Sequence, residues 1–218
     1  MSKEAVLAKI DSDTRYWVEH FAHIRTKAGK IERMVPNPGQ LALEAEFRKQ
    51  REAGKPERAV VLKARQIGIS TWMQLKLLQK ATRTANVEAM CLAHNRDTGG
   101  RLFRMAETCY SRLPDEAGLK PDLIAHRRAH LLHFGSGSQD ERFSGQVFPD
   151  SVYSVDVASE SDAGRGSTLT AVHGSEVPRW RDVEEKLASL AAAIPDEPGT
   201  IFCLEATANG FDTFRDIW

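Results

Sequence analysis

The spacing of apolar positions changes several times along the chain, and the changes predict its elements. Over residues 1–35 the pattern is weakly helical, with Tyr16, Trp17, Phe21 and Ile24 at turn-like spacing. Pro36-Asn37-Pro38-Gly39 interrupts it. Leu41 to Glu52 then reads as a helix, closed by Gly54-Lys55-Pro56. Beyond this point short β-branched apolar runs alternate with helical stretches. Arg58–Ala64 and Val87–Ala93 read as buried strands, with a helix over Ser70–Thr82 between them. Asp97–Leu113 reads as a helix with Asp97 at its N-cap. His130–Phe134 and Val152–Val157 are further short strands, and Thr168–Glu176 holds another. A helix over Val183–Ile194 and a last apolar strand over Thr200–Ala206 complete the series. Strands that alternate with helices predict an α/β fold, a mostly parallel central sheet covered by helices on both faces. Ligands of such sheets sit at the carboxyl ends of the strands.

Composition narrows the class. The chain has 218 residues, 41% of them hydrophobic and 28% charged, which suits one large folded domain, or one domain plus a short extra segment, and argues against wholesale disorder. No apolar run approaches the roughly 20 residues that span a bilayer, and the mixed-charge start MSKEAVLAKIDSD has no signal-peptide core. Cys91, Cys109 and Cys203 are scattered and odd in number, so they read as buried reduced thiols. The formal net charge is zero, which at first argues against a nucleic-acid partner. However, residues 1–149 hold 25 Lys and Arg against 17 Asp and Glu, and residues 150–218 hold 5 against 13. Neutrality is therefore the sum of a basic part and an acidic part, and such asymmetry is compatible with a charged partner.

The candidate chemistry lies at the strand ends. Lys63-Ala64-Arg65-Gln66-Ile67-Gly68-Ile69-Ser70-Thr71 follows a strand and opens a helix, as a phosphate-binding loop does. Gly68 and Ser70 fit the later glycine and the hydroxyl position of that motif, but Ile69 stands where its lysine is expected and Lys63 where its first glycine is expected. The physical requirements are still met. Backbone N–H groups at a helix start and the helix dipole attract phosphate. Gly68 permits close approach, and Ser70 offers a hydroxyl to Mg²⁺. Lys63 has a flexible stem that reaches back over phosphates, and Arg65 adds a planar cation. The bland alternative is an ordinary strand-to-helix turn carrying solvated cations.

A nucleotide hydrolase also needs an acid at a second strand end. Thr168–Glu176 ends in Ser175-Glu176, where an Asp-Glu pair is standard: the first residue serves Mg²⁺ and the glutamate polarises the attacking water. Glu176 is then the general-base candidate, against the alternative of a surface glutamate at a strand end. The strand Ile201–Glu205 runs into Ala206-Thr207-Ala208-Asn209-Gly210, where small polar residues suit a γ-phosphate or its water, although Asn-Gly is also a plain turn signal.

The ordered set KARQIGIST, HGSEV and EATANG resembles the N-terminal ATPase domain of the large terminase subunit of tailed phages and prophages, from about Pro36 to the end of the chain. The resemblance implies an α/β P-loop NTPase fold of the RecA-like, ASCE type over residues 36–218, preceded by an N-terminal helical extension over residues 1–35. It implies ATP and Mg²⁺ as ligands, with Lys63 matching a lysine shifted to the loop start and Arg65-Gln66 matching a characteristic pair. Ala64, Ile67, Gly68, Ile69, Ser70 and Thr71 complete the loop. Glu176 matches the catalytic glutamate, Thr207 the coupling motif, and Gln40, within Asn37-Pro38-Gly39-Gln40, a glutamine that contacts adenine. Arg165, eleven positions before Glu176, matches an arginine that reaches the neighbouring subunit's nucleotide. Ser70 and Ser175 are the metal-side residues, Ser175 in place of the usual aspartate.

The activity so implied is ATP hydrolysis driving DNA into a procapsid. Double-stranded DNA would be gripped weakly and salt-sensitively. The other implied partners are a portal protein, a small terminase subunit and further copies in a ring, and the implied location is the host cytoplasm with no membrane. The family's nuclease carboxylates are not found, so DNA cleavage is not expected of this chain. Two alternatives remain. Another P-loop nucleic-acid translocase would ordinarily keep the Gly-Lys-Thr lysine and the Asp-Glu pair, which this chain lacks. A degenerate loop would leave an interaction module that does not hydrolyse ATP. His126, His130 and His133 are expected at solvated positions, without metal, and His173 is left without a role.

Overall fold

The computed structural model describes residues 2–115, 119–127, 130–135, 150–159, 168–208 and 214. Its centre is a seven-stranded sheet formed by β3 (Glu57–Lys63), β4 (Glu88–Ala93), β5 (Leu123–Arg127), β6 (Leu131–Phe134), β7 (Ser151–Val157), β8 (Ala171–Ser175) and β9 (Ile201–Thr207). The strand order is β3-β9-β8-β4-β7-β6-β5. The five strands from β3 to β7 are parallel, and β6 and β5 extend the sheet antiparallel. The expected α/β architecture is thus present. β9 lies between β3 and β8, so the ends of all three strands open onto one edge.

Alternation along the strands divides the core between the two faces. Ala89 and Cys91 of β4 and Ile201 and Cys203 of β9 join one apolar cluster, and Met90, Leu92, Phe202 and Leu204 join the other. The first face is covered by α4 (Ile69–Arg83) and α5 (Arg96–Tyr110), with α1 (Lys3–Ser12), α2 (Thr14–Phe21) and α3 (Pro38–Glu52) packed beside them. The second is covered by α6 (Val183–Ala193), a 3₁₀ turn at Val177–Arg179 and Phe214. Cys91, Cys109 and Cys203 are buried and free. No helix among the described residues is long and apolar enough to cross a membrane.

Three local readings are corrected. Ile24 does not continue the helical pattern of residues 1–35: β1 (His23–Arg25) and β2 (Ile31–Arg33) form an antiparallel hairpin, turned at Gly29 with φ 80°. Pro36–Gly39 is not merely a break. Asn37 caps α3 in a capping box with Gln40, and Pro38 takes the first helical position, where its missing N–H costs nothing. Asp97 does not cap α5; Asn95 does, accepting from Thr98 N at 2.9 Å, and Asp97 lies in the first turn. The sequence does not predict β5: LIAHR shows no clear alternation, and among the described residues it pairs with the short β6.

α4 carries the strongest electrostatic feature of the interior. Nearly every side chain of this helix is buried, including Lys76, Gln74 and Gln79. Lys76 Nζ lies 2.9 Å from Glu57 Oε2 and 3.1 Å from Glu44 Oε2, with Thr14 Oγ1 at 3.2 Å. Arg51 bridges the same two carboxylates at 2.7 Å and 2.8 Å. Two buried acids are thereby matched by two cations, which ties α2, α3, α4 and β3 together at the end of the sheet opposite the strand ends considered next.

Candidate nucleotide site

The loop between β3 and α4 starts at Lys63 and ends at Gly68, in left-handed backbone with φ 76°. Glycine is required there twice over: the conformation disfavours other residues, and a Cβ would lie 2.6 Å from Gln40 Nε2. The start of α4 has no side-chain cap, so its first N–H groups remain available to an anion. Arg65 and Gln66 are exposed, as is Ala64, and Gln66 Oε1 accepts from Lys27 Nζ at 2.7 Å. Ile67 is half-buried, while Ile69 turns into the core. A lysine at the standard position would therefore have to replace a core side chain.

Gln40 sits behind this loop. Its Oε1 accepts from Asn37 N at 2.9 Å, and its Nε2 donates to Gly68 O at 2.7 Å. Asn37 Nδ2 donates to Ile67 O at 2.9 Å. The side chain expected at adenine thus spends both ends of its amide on the α3 cap and the loop, and is itself buried. In this arrangement Gln40 braces the loop backbone.

Strand register brings the remaining residues together. Lys63 pairs with Thr207 across β3 and β9, and Ser175 pairs with Glu205 across β8 and β9. The parity of the strands puts Lys63, Ser175, Glu205 and Thr207 on the face that carries α4. Lys63 Nζ lies 3.3 Å from Glu176 Oε1 and 3.8 Å from Glu205 Oε2. Thr207 Oγ1 donates to Glu176 Oε1 at 2.7 Å, and its N–H donates to Oε2 at 3.3 Å. Burial alone would favour the neutral form of Glu176. The Thr207 hydroxyl and the Lys63 ammonium outweigh it and hold the carboxyl below its ordinary range. Glu176 is therefore ionised at neutral pH.

Glu176 also has left-handed backbone, φ 52°, a conformation that costs a non-glycine residue about 1–3 kcal/mol and clusters at functional sites. The turn is fixed from behind: Trp180 Nε1 donates to Ser175 O at 3.0 Å, and Arg179 N donates to Glu176 O at 2.9 Å. Gly174 makes room for the Trp180 ring. A Cβ there would lie 2.8 Å from Trp180 Cη2 and 2.7 Å from Leu204 Cδ2. Gly174→Ala should accordingly lower stability by about 1–3 kcal/mol through overpacking, measured by urea denaturation; an unchanged midpoint would contradict the packing described.

The two serines expected on the metal side share one partner. Ser70 Oγ donates to Glu205 Oε1 at 2.5 Å and Ser175 Oγ donates to the same oxygen at 3.1 Å. Glu205 and His173, fully buried and outside the sequence-derived site, are the additions made by the structure. His173 Nε2 lies 3.4 Å from Glu205 Oε1, and its Nδ1 lies 2.8 Å from Gln74 Nε2. Burial pulls the imidazole down, but Cys91 and Glu205 raise it to about 10. A carboxylate inside the apolar run TIFCLEA was the available signal for Glu205; its partners lie on other elements and cannot be read from spacing. Thr71 Oγ1 lies 3.7 Å from Met105 Sδ, beside the loop. Arg165 falls outside the described residues. His133 pairs with Asp150 at 2.9 Å, and no metal-ligating group of three appears among the described residues.

No family model matches the chain, and no curated protein does. Solved structures do match. The HK97 bacteriophage large terminase superposes with a TM-score of 0.66 at 14% identity, over 90% of this chain and 37% of its own. The fold is that of a large terminase ATPase domain. The ATPase domain of the Thermus phage P74-26 large terminase matches with a TM-score of 0.55 at 18% identity, and a mutant of that domain with 0.57 at 16%. Each of these covers 84% of this chain and 74% of the matched domain. The chain thus spans 37% of the HK97 terminase length, and the likeness to both phage proteins is one of terminase fold.

Proposed function

We propose that this chain is the ATPase motor domain of a viral DNA-packaging terminase, binding ATP with Mg²⁺ and hydrolysing it to move double-stranded DNA into a procapsid. The observation that carries the reading is the convergence of Lys63, Glu176 and Thr207 at adjacent strand ends, next to an uncapped helix start. The fold likeness supports the class of machine, and the geometry of the site supports the chemistry.

In this reading the N–H groups from Gly68 into α4 hold the phosphates, and Lys63 and Arg65 neutralise them. The site also suits Mg²⁺, because hydroxyls from Ser70 and Ser175 meet at a buried carboxylate. Bound there, Mg²⁺ would neutralise charge developing on the phosphates. Glu176 accepts the proton of the attacking water. Because Thr207 donates to the same carboxylate, a movement of Glu176 towards the water releases or shifts the end of β9, which provides a route from chemistry to motion. An arginine supplied by a neighbouring copy, with Arg165 as the candidate, would complete the site in a ring.

DNA contact is supported by charge. Arg25, Arg101 and Arg104 line a cleft of about 330 Å³ beside Thr71, and binding there should weaken as salt rises. Portal protein, a small terminase subunit and further copies remain the partners this function requires. Titration calorimetry with a non-hydrolysable ATP analogue and Mg²⁺ tests the reading: saturable binding is expected. Absence of heat at millimolar nucleotide would favour the interaction module.

A further inference from the structure

The site has serine where a phosphate-loop hydrolase of this design presents an acid, yet a carboxylate occupies the same space from another strand. Glu205 is register-paired with Ser175 and is fully buried. One of its oxygens, Oε1, accepts from both Ser70 and Ser175. The other, Oε2, has no hydrogen bond among the described residues, and Lys63 Nζ stands 3.8 Å away. A buried carboxylate with only a structural task would be expected to satisfy both oxygens. This one leaves an oxygen open towards the lysine at the base of the loop.

We propose that Glu205 is the acid of the metal subsite, a positioning residue on β9 that takes over the task of the absent aspartate at position 175. The proposal rests on the nucleotide reading given above. A serine that ligates a divalent cation must turn a lone pair to the metal and give its proton to an acceptor. Glu205 Oε1 is that acceptor for Ser70, at 2.5 Å. As an anion it makes Ser70 Oγ a better ligand than a neutral acceptor would, as outer-shell carboxylates do in other metal sites. Its charge would also strengthen the local attraction for a hard cation held by Ser70. His173 Nε2 and Lys63 Nζ stand beside the carboxylate, at 3.4 Å from Oε1 and 3.8 Å from Oε2. Moving the acid from β8 to β9 has a structural consequence as well: the strand that carries Thr207 becomes linked directly to the metal ligand Ser70.

The test measures the metal dependence of nucleotide affinity, using fluorescently labelled ADP titrated in EDTA and in Mg²⁺. Glu205→Gln keeps the shape and the acceptor for both serines but removes the charge. The ratio of the EDTA to the Mg²⁺ dissociation constant should fall about 10–100-fold, the usual cost of removing an outer-shell partner, while the EDTA value stays within about twofold. Adding Ser175→Asp to Glu205→Gln should restore much of the ratio by returning the acid to β8. An unchanged ratio in Glu205→Gln overturns the proposal, as does an equal loss of affinity in both buffers, which would mark a merely structural role. Absence of binding by the wild type in either buffer overturns the nucleotide reading and this proposal together, whereas normal wild-type binding with an unchanged variant ratio overturns only this one. Should Glu205→Gln fail to fold, Glu205→Asp, which retracts the charge from Ser70, must lower the ratio; a wild-type ratio there contradicts the proposal.

Discussion

Glu176→Gln is expected to lower steady-state ATP turnover by about 10²–10⁴-fold, the range for removing a positioned general base. Glutamine retains the size of the side chain and can still accept from the Thr207 hydroxyl, so the turn at φ 52° and the strand ends should stay in place. Only the capacity to take a proton is lost. Nucleotide affinity should therefore be preserved, or rise slightly, because one negative charge near the phosphates is gone. Turnover that equals the wild type would contradict the role of Glu176. Loss of both turnover and binding would mean that the residue holds the site together and does no proton chemistry. The measurement is best made with assembled protein, since an arginine acting between copies would be missing from a monomer.

The second large effect concerns stability. Lys76→Met should destabilise the fold by about 3–5 kcal/mol, because it leaves buried Glu44 and Glu57 with Arg51 alone. Methionine matches the length and apolar stem of lysine, so little of the loss comes from a cavity. The cost arises from an uncompensated negative charge in a region where Lys76 and Glu57 are each less than a tenth exposed. For a chain of this size each kcal/mol corresponds to about 2–4 °C in Tm, so calorimetry should find a fall of roughly 6–20 °C. A fall of less than about 3 °C would mean that water reaches and solvates the two carboxylates. The cluster lies at the opposite end of β3 from the nucleotide site, so nucleotide affinity at low temperature should not change.

Much of this arrangement was legible in the sequence because it rests on local signals. β3, β7 and β9 are apolar runs with β-branched residues, β4 is an apolar run that follows Val87, and the helices between them have clear periodicity. Gly68 and Lys63 were readable because a strand, a loop glycine and a helix start are contiguous. Glu176 was readable because it follows a strand directly. What escaped depends on neighbours distant along the chain. Glu205 gains its meaning from Ser70, 135 residues away, and from Ser175, 30 residues away. Gln40 could be found by motif, but its partner, Gly68 O, is 28 residues on and comes into view only in three dimensions. The hairpin at His23–Arg33 was hidden because its strands are three residues long and largely exposed, without the alternation that marks a buried face. Parity explains why β9 was only half understood: Phe202 and Leu204 face one cluster, whereas Cys203 and Glu205 face α4 and the loop.

In the proposed site a lysine at the start of the loop takes the place of the one usually found inside it, because Ile69 is committed to the core. Lys63 Nζ lies within 3.3 Å of Glu176 and 3.8 Å of Glu205, where it stands between the two acids and the loop. The most direct test compares the affinity of wild type and Lys63→Ala for an ATP analogue in Mg²⁺, with circular dichroism as the control for folding. Removing a charged hydrogen-bond donor from phosphate costs about 1.5–3 kcal/mol, so affinity should fall more than about tenfold while the fold persists. A Lys63→Ala protein that folds and binds the analogue as tightly as the wild type would contradict the account.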